Sequence, residues 1–434
     1  MRRLLPDQFE SRETPVQYTN QSSTSTARQA RSARGSARQW VAFSATVALF
    51  LSAALAVSCD DNESVAPTFE QLDSNLVHTG RDIFRFDTFG DEKYWTDTLR
   101  MHEVIETGVS PATALSVGLK VDVDSLPDAV RSALAAGQVD LNSPATTVTL
   151  LKLGAVVGVR GQVTTVGGHD TLTRVGITCA LCHSTVDNSF APGIGHRLDG
   201  WPNSTLNVGA IVALSPAVSP ALKTILQSWG PGKYDPRTNI DGQNTPLVIP
   251  PAYGLEGVSK ETYTAEGPVS YWNAYVAVTQ MHAQGNFSDP RLGISITQSP
   301  DLVTSKLTAL RQYQLSLTVP RRTASDAAAA ARGKLVFDGA GRCSTCHTGS
   351  LYTDINTGRL HAPNETGMDA RYAERTTQKA YRTTPLRGLL RHAPYFHDGS
   401  AATLTDVVNH YDSFLTLGLT AAQKQDLIAY LQTL

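Results

Sequence analysis

The chain has little cysteine: 434 residues carry five, Cys59, Cys179, Cys182, Cys343 and Cys346. Four fall in two close pairs, so no two remain for a structural disulfide. An excess of either charge is also missing. With 37 Lys and Arg against 39 Asp and Glu the net charge is -2, which removes the general electrostatic reason to expect nucleic acid as a partner. What the chain does have is 33 Gly and 22 Pro, a composition that reads as many loops on a chain long enough for two cores.

The cysteine pairs carry the chemistry. Cys179-Ala180-Leu181-Cys182-His183 and Cys343-Ser344-Thr345-Cys346-His347 both read C-x-x-C-H, the attachment signature of a c-type haem. Two thiols form thioethers to the porphyrin vinyl groups, and the adjacent imidazole is the proximal iron ligand. Two intervening residues make about one turn, which turns both sulfurs and the imidazole toward one macrocycle. Four thiolates also suit a structural zinc site. Zinc gives no reason for a His after each pair, so two covalent haem c groups are the preferred reading.

Cys59 stands apart. It closes an apolar run from Trp40 to Val57, which follows an acid-free stretch bearing Arg28, Arg31, Arg34 and Arg38. That is the layout of an export signal. Leu55-Ala56-Val57-Ser58-Cys59 resembles the bacterial lipobox, with Ala56 where Leu is commoner; cleavage there leaves Cys59 as a lipidated N-terminus. An uncleaved transmembrane anchor is the alternative, since the run is near the lower limit for spanning. The lipoprotein reading is preferred because it gives Cys59 a task. Both readings put a membrane anchor at the N-terminus and the body in a periplasmic or other extracytoplasmic space.

Residues 1–59 thus read as a leader plus export signal, residues 60–318 as a first haem domain and residues 324–434 as a second. The fold class expected is mainly α: two cytochrome c-like haem domains with long loops and a β-hairpin insertion in the first. A helical pattern begins near Phe69 and runs through Phe84, with others near Thr98 to Glu106, Pro127 to Ala136, Ser219 to Trp229 and Pro300 to Leu315. From Val148 to Ile177 the pattern turns to short β-branched runs, and Gly167-Gly168-His169-Asp170 reads as the turn of a hairpin. Val319 to Thr323 reads as a linker. In the second domain, helices are expected at Ala324 to Phe337, Asp406 to His410 and Ala421 to Thr433. Gly80 and Phe84 repeat the spacing of Gly333 and Phe337, an internal repeat in which each Gly permits a close helix crossing. Leu427, Tyr430 and Leu431 share the face that would meet Gly333 and Phe337.

Thr384-Pro385-Leu386-Arg387 and Ala393-Pro394-Tyr395-Phe396-His397-Asp398-Gly399-Ser400, with the motif at Cys343, resemble the bacterial di-haem cytochrome c peroxidase and MauG superfamily from about Ala329 onward. In the first domain the likeness is confined to the haem motif, Asn244-Thr245-Pro246 and Tyr271-Trp272-Asn273. The resemblance implies that the C-terminal haem passes electrons while the N-terminal haem meets peroxide. It implies a distal iron ligand fourteen residues after His397, which is Tyr411. Tyr there is the MauG-type choice, Met the peroxidase one; phenolate lowers an iron potential where thioether raises it. His410 and Met368 are the competing ligands, and a plain packed tyrosine is the structural alternative. His397 and Asp398 would shape the same pocket.

For the first haem the resemblance offers His196, in a loop like the one whose His closes the resting iron in the peroxidases. The competing alignment through Asn244 has no His at the matching place. The family's peroxide pocket holds a Gln and a Glu; beyond Trp272 this chain has Gln280, Met281, His282 and Asp289, without an acid at the familiar spacing. Proton transfer to bound peroxide needs a group within hydrogen-bond reach, and Gln280, His282 and Asp289 are the candidates. Trp272 resembles the Trp that lies between the haems, and a buried anchor is its plainer role. The resemblance also implies calcium between the haems, with Asn244 or Asn203 as a ligand. It further implies a small electron-donor protein of cytochrome c or cupredoxin type, and peroxide or another small oxidant. A non-catalytic di-haem electron carrier and a MauG-like oxidase of an organic or protein substrate are the alternative functions.

Overall fold

Asp73 sets where the ordered body begins. Its carboxylate accepts from the amides of Asn75 at 2.7 Å and Leu76 at 3.2 Å, so the first helix, α1, runs Ser74–Phe86 rather than starting near Phe69. The computed structural model describes residues 67–320 and 325–434. The leader, the export segment, Cys59 and most of the expected linker lie outside the described residues. No helix among the described residues is long and apolar enough to cross a membrane.

The architecture is mainly helical, with five separate two-stranded ladders among the described residues. After α1 the chain forms α2 (Met101–Gly108), α3 (Asp128–Ala135) and α4 (Pro144–Lys152). Arg100, in the left-handed region at φ 56°, separates α2 from the turn before it. Helix α4 runs into the stretch from Val148 that was expected to be extended. Burial of Thr147, Val148, Leu150 and Leu151 overrides that local preference. The hairpin is as expected in place, with β1 (Val159–Val166) antiparallel to β2 (His169–Ile177) and a register shift at Gln162. Its turn is the Gly167-Gly168 pair alone, both at positive φ. The first motif follows at once as a single turn, α5 (Ala180–His183).

Next come α6 (Pro220–Gln227), α7 (Val269–Thr279) and α8 (Leu307–Ser316). The C-terminal part holds α9 (Ala327–Asp338), α10 (Leu404–Phe414) and α11 (Ala421–Leu431). Capping fixes the last two: Thr403 with Asp406, and Thr420 with Gln423, satisfy each other's amides.

Two helix crossings organise this body, and they are copies of one device. At Gly80 on α1 an added Cβ would lie 1.9 Å from the carbonyl oxygen of Ala309 on α8. At Gly333 on α9 it would lie 1.9 Å from that of Asp426 on α11. Four residues beyond each Gly an aromatic wedge meets a Tyr of the crossing helix: Phe84 on Tyr313 and Phe337 on Tyr430, both with ring centroids 5.4 Å apart and edge-on. Ala309 to Tyr313 and Asp426 to Tyr430 have the same spacing, so the repeat includes the partner helices. One apolar cluster gathers around the first crossing and another around the second, while a third fills the space beneath the hairpin.

Backbone contact at the crossings makes a specific forecast. Gly80→Ala and Gly333→Ala should each lower stability by ~2–3 kcal/mol, the cost of overpacking a filled site. Gly108→Ala, where an added Cβ meets nothing within 4 Å, should be neutral within ~0.5 kcal/mol. Chemical denaturation of the three variants measures both.

Candidate functional site

Each motif presents its histidine the same way. His183 Nδ1 lies 3.0 Å from the carbonyl oxygen of Pro250, and His347 Nδ1 lies 2.9 Å from that of Tyr352. A carbonyl can only accept, so Nδ1 carries the proton in both rings. Nε2 is left with its lone pair free, the tautomer an iron ligand needs. Burial lowers the pKa of both rings, which keeps them neutral. The four thiols are unpaired with one another, and burial pushes Cys179 and Cys182 up to about 12 and Cys343 up to about 11. Cys346 differs, its pKa lowered by a hydrogen bond with His361. Thiols beside an oriented imidazole in each motif fit thioether attachment of a haem.

The first motif is held by buried neighbours. Asn203 donates its backbone N–H to Cys182 O at 2.9 Å, and its side-chain amide donates to Gly118 O at 2.9 Å. Gly158, at positive φ, lets its backbone come so close that an added Cβ would lie 2.1 Å from Leu181 N. Around the motif, Trp272 packs against the same apolar cluster as Cys179. Its ring lies edge-on to Tyr275 at 5.1 Å, and its indole N–H is buried without a partner. Gln280 accepts from the Tyr234 hydroxyl and donates to Asn239 at 3.1 Å. Tyr234 packs in the cluster that includes Cys182, and proximity to that thiol helps to raise its pKa. His282 sits two residues on, in the left-handed region at φ 59°. Its ring stacks on Tyr94 at 3.7 Å, and burial pushes its pKa down to about 4.

Two expectations need correcting. His196 points outward, 58% exposed, and its Nδ1 is paired with Asp124 at 2.9 Å. That pairing raises its pKa and holds it on the surface rather than over the first motif. Asp289 is committed to Arg291 at 2.6 Å and accepts from the Tyr271 hydroxyl. Arg291 holds its pKa down at about 2, so it is ionised throughout the neutral range and has no proton to give. The amides offered for calcium are also engaged. Asn244 accepts from Trp229 at 2.8 Å and donates to Ser228 at 3.0 Å, and Asn203 accepts from Thr205 at 3.0 Å.

At the second motif one of the expected residues, Tyr411, lies beside the cysteines. Tyr411 lies close enough to Cys343 and Cys346 for both sulfurs to raise its pKa, and burial is the larger cause. Phe396 stands edge-on to it at 5.9 Å. The rival His410 is engaged elsewhere, its Nε2 donating to Thr366 O at 2.9 Å, and Met368 packs in a separate cluster with Tyr372 and Tyr381. His397 is buried, stacks on Tyr381 at 4.3 Å and meets its hydroxyl at 3.1 Å. Asp398 accepts from the Ser400 amide at 3.0 Å and only shapes the turn.

The sequence reading had not singled out Tyr234, Tyr381 or Pro250. Nor had it noticed that Cys346, Asp354 and His361 bring ligand atoms within 4.8 Å of one another. His361 bridges Asp354 at 2.9 Å and Glu365 at 3.1 Å, and Asp354 pushes its pKa up to about 10. Cys346 is also one of the two thiols of its motif. The ion pair instead buttresses the loop after it.

No family model matches the chain. Three curated proteins are similar over part of it. The methylamine utilization protein MauG of Methylophilus methylotrophus is 30% identical over 158 residues, covering 31% of this chain and 47% of that protein. The MauG of Methylorubrum extorquens is 28% identical over 24% of this chain and 34% of its own. Cytochrome-c peroxidase IdrP1 of Denitromonas iodatirespirans is 27% identical over 26% of this chain and 41% of its own. Over part of its length the chain is therefore similar to proteins of the di-haem cytochrome c peroxidase/MauG type. Its matches span about half the length of those relatives or less. A solved MauG-like protein associated with microbial copper homeostasis overlays 44% of this chain and 74% of its own at 19% identity, with a TM-score of 0.32. In this chain His183 and His347 are alike in having Nδ1 against a backbone carbonyl.

His282 provides a pH test. Its folded pKa, about 4, lies below the ordinary 6.5, so the unfolded chain takes up the proton first. Its effect on stability is therefore absent above about pH 7, and stability falls as pH drops from 6.5 toward 4. His282→Asn, which tolerates the left-handed backbone, should remove on the order of 2 kcal/mol of that acid loss. Urea unfolding at pH 7 and pH 4.5 reads the difference between variant and parent.

Proposed function

We propose that this protein is a two-haem c-type oxidoreductase that reduces peroxide, or a comparable small oxidant, with electrons delivered by a small cytochrome c or cupredoxin-type protein outside the cytoplasm. The observation that carries this reading is the duplicated imidazole anchor, with each motif histidine pinned at Nδ1 by a backbone carbonyl. When bound, the haem groups supply the redox chemistry.

The chain's own residues do the rest. Cys179, Cys182, Cys343 and Cys346 hold the two groups, and His183 and His347 orient Nε2 toward them. Gln280 and His282, on the turn that ends α7, are the polar groups for the first pocket. His282 is neutral near pH 7 and can take or pass a proton. Trp272, wedged beside Tyr275, is suited to carry an electron between the sites. Tyr411 caps the second site, and His397, neutral through burial, keeps the pocket closed with Tyr381.

A second reading, oxidation of an organic or protein substrate, has Tyr411 in its favour, because its hydroxyl stands near both sulfurs of the second motif. Peroxide consumption with a reduced cytochrome donor separates the two. The peroxidase reading expects turnover that falls at least tenfold in His282→Asn. Slow peroxide loss without use of that donor would favour the second reading. Low-spin spectra with no turnover at all would leave an electron carrier. Tyr411→Phe should alter the ferric spectrum of one haem and leave the other unchanged.

A further inference from the structure

Arg382 and His392 are buried close enough for the charge of Arg382 to act on the His392 ring, and both have nitrogens without a partner. Arg382 donates Nη2 to the Glu261 carbonyl at 3.1 Å, while its Nε and Nη1 are shut away from solvent with no partner. His392 Nε2 is likewise buried and unpartnered. The nearest acid gives no relief, because the Glu261 carboxylate accepts from the Val269 amide at 3.1 Å and faces Arg311 at 3.8 Å. An unpaired buried guanidinium is costly, and buried charges in working proteins are paired. Burial pushes Arg382 down only to about 10, so it stays charged, and pushes His392 down to about 4, so it stays a neutral hydrogen-bonding ring.

The pocket's place limits what fills it. The Tyr253 ring, 5.8 Å from His392, follows three residues after Pro250, whose carbonyl pins His183. Arg382 precedes by two residues Thr384, whose backbone lies against the His347 ring. Each residue is thus tied through nearby chain to a backbone support of one motif histidine. A haem carries carboxylates of its own, and a guanidinium with two spare N–H groups is the shape that receives one.

We infer that Arg382 and His392 form the anchor for a haem propionate. The inference rests on the two-haem reading. It makes these residues positioning groups: Arg382 fixes the tilt of one macrocycle and, as a cation beside its edge, raises that iron's potential.

The test is spectroelectrochemistry of the full haem-loaded chain as parent, Arg382→Met, Arg382→Lys and His392→Phe, with and without added phosphate. Arg382→Met should lower one midpoint potential and leave the other in place, Lys should restore most of the shift, and phosphate should change neither. His392→Phe, which keeps the ring volume, should shift the propionate bending mode in the resonance Raman spectrum even if Arg382→Met fails to fold. Unchanged potentials and Raman modes at full haem content would overturn the anchor and leave the haem reading standing. A parent potential that moves with phosphate would assign the pocket to a free anion instead. A chain without haem would overturn both.

Discussion

Everything described here hangs on backbone meeting backbone at two glycines. A helix can approach another to the distance seen at Gly80 and Gly333 only where no Cβ intervenes. The aromatic wedge four residues on then fixes the crossing, with Phe84 against Tyr313 and Phe337 against Tyr430. Each crossing stands beside a motif. Cys179 packs on the cluster built around the first, and Cys343 on the cluster built around the second. The paired geometry of the sites follows from the paired geometry of the helices.

From that frame the chemistry is set by protonation states that burial imposes. Both motif imidazoles have pKa values lowered by burial and Nδ1 held by a carbonyl, which leaves Nε2 as the unprotonated nitrogen. His282 and His397 are neutral for the same reason, and Tyr411 keeps its proton until an electropositive partner takes the oxygen. Charged groups are either paired, as Asp289 with Arg291, or left waiting, as Arg382 is. The contrast between the two is what separates scaffold from site.

Much of this was legible in the sequence. The two motifs, the glycine repeat and the hairpin depend on local spacing, which a sequence displays directly, whereas Tyr411 was reached only through the family resemblance. Helix α4 was hidden because the β-branched run starting at Val148 looks extended until burial is known. His196 misled because a loop histidine looks the same whether it turns in or out; its contact with Asp124, 72 positions away, decides the matter. Asp289 misled because the neutralising Arg291 beside it reads as ordinary surface charge. Pro250, Tyr234 and the Arg382–His392 pocket arise from contacts between distant segments and carry no local signal.

The central claim is that one polypeptide holds two haems covalently, each on its own motif. The most direct measurement is the mass of the intact chain after full denaturation in acid and organic solvent, which strips any group held only by ligation. The account predicts a mass above the apoprotein by two haem groups, reduced by one when Cys343 and Cys346 are both replaced by Ser. An apoprotein mass, or a single haem unaffected by that replacement, would contradict it.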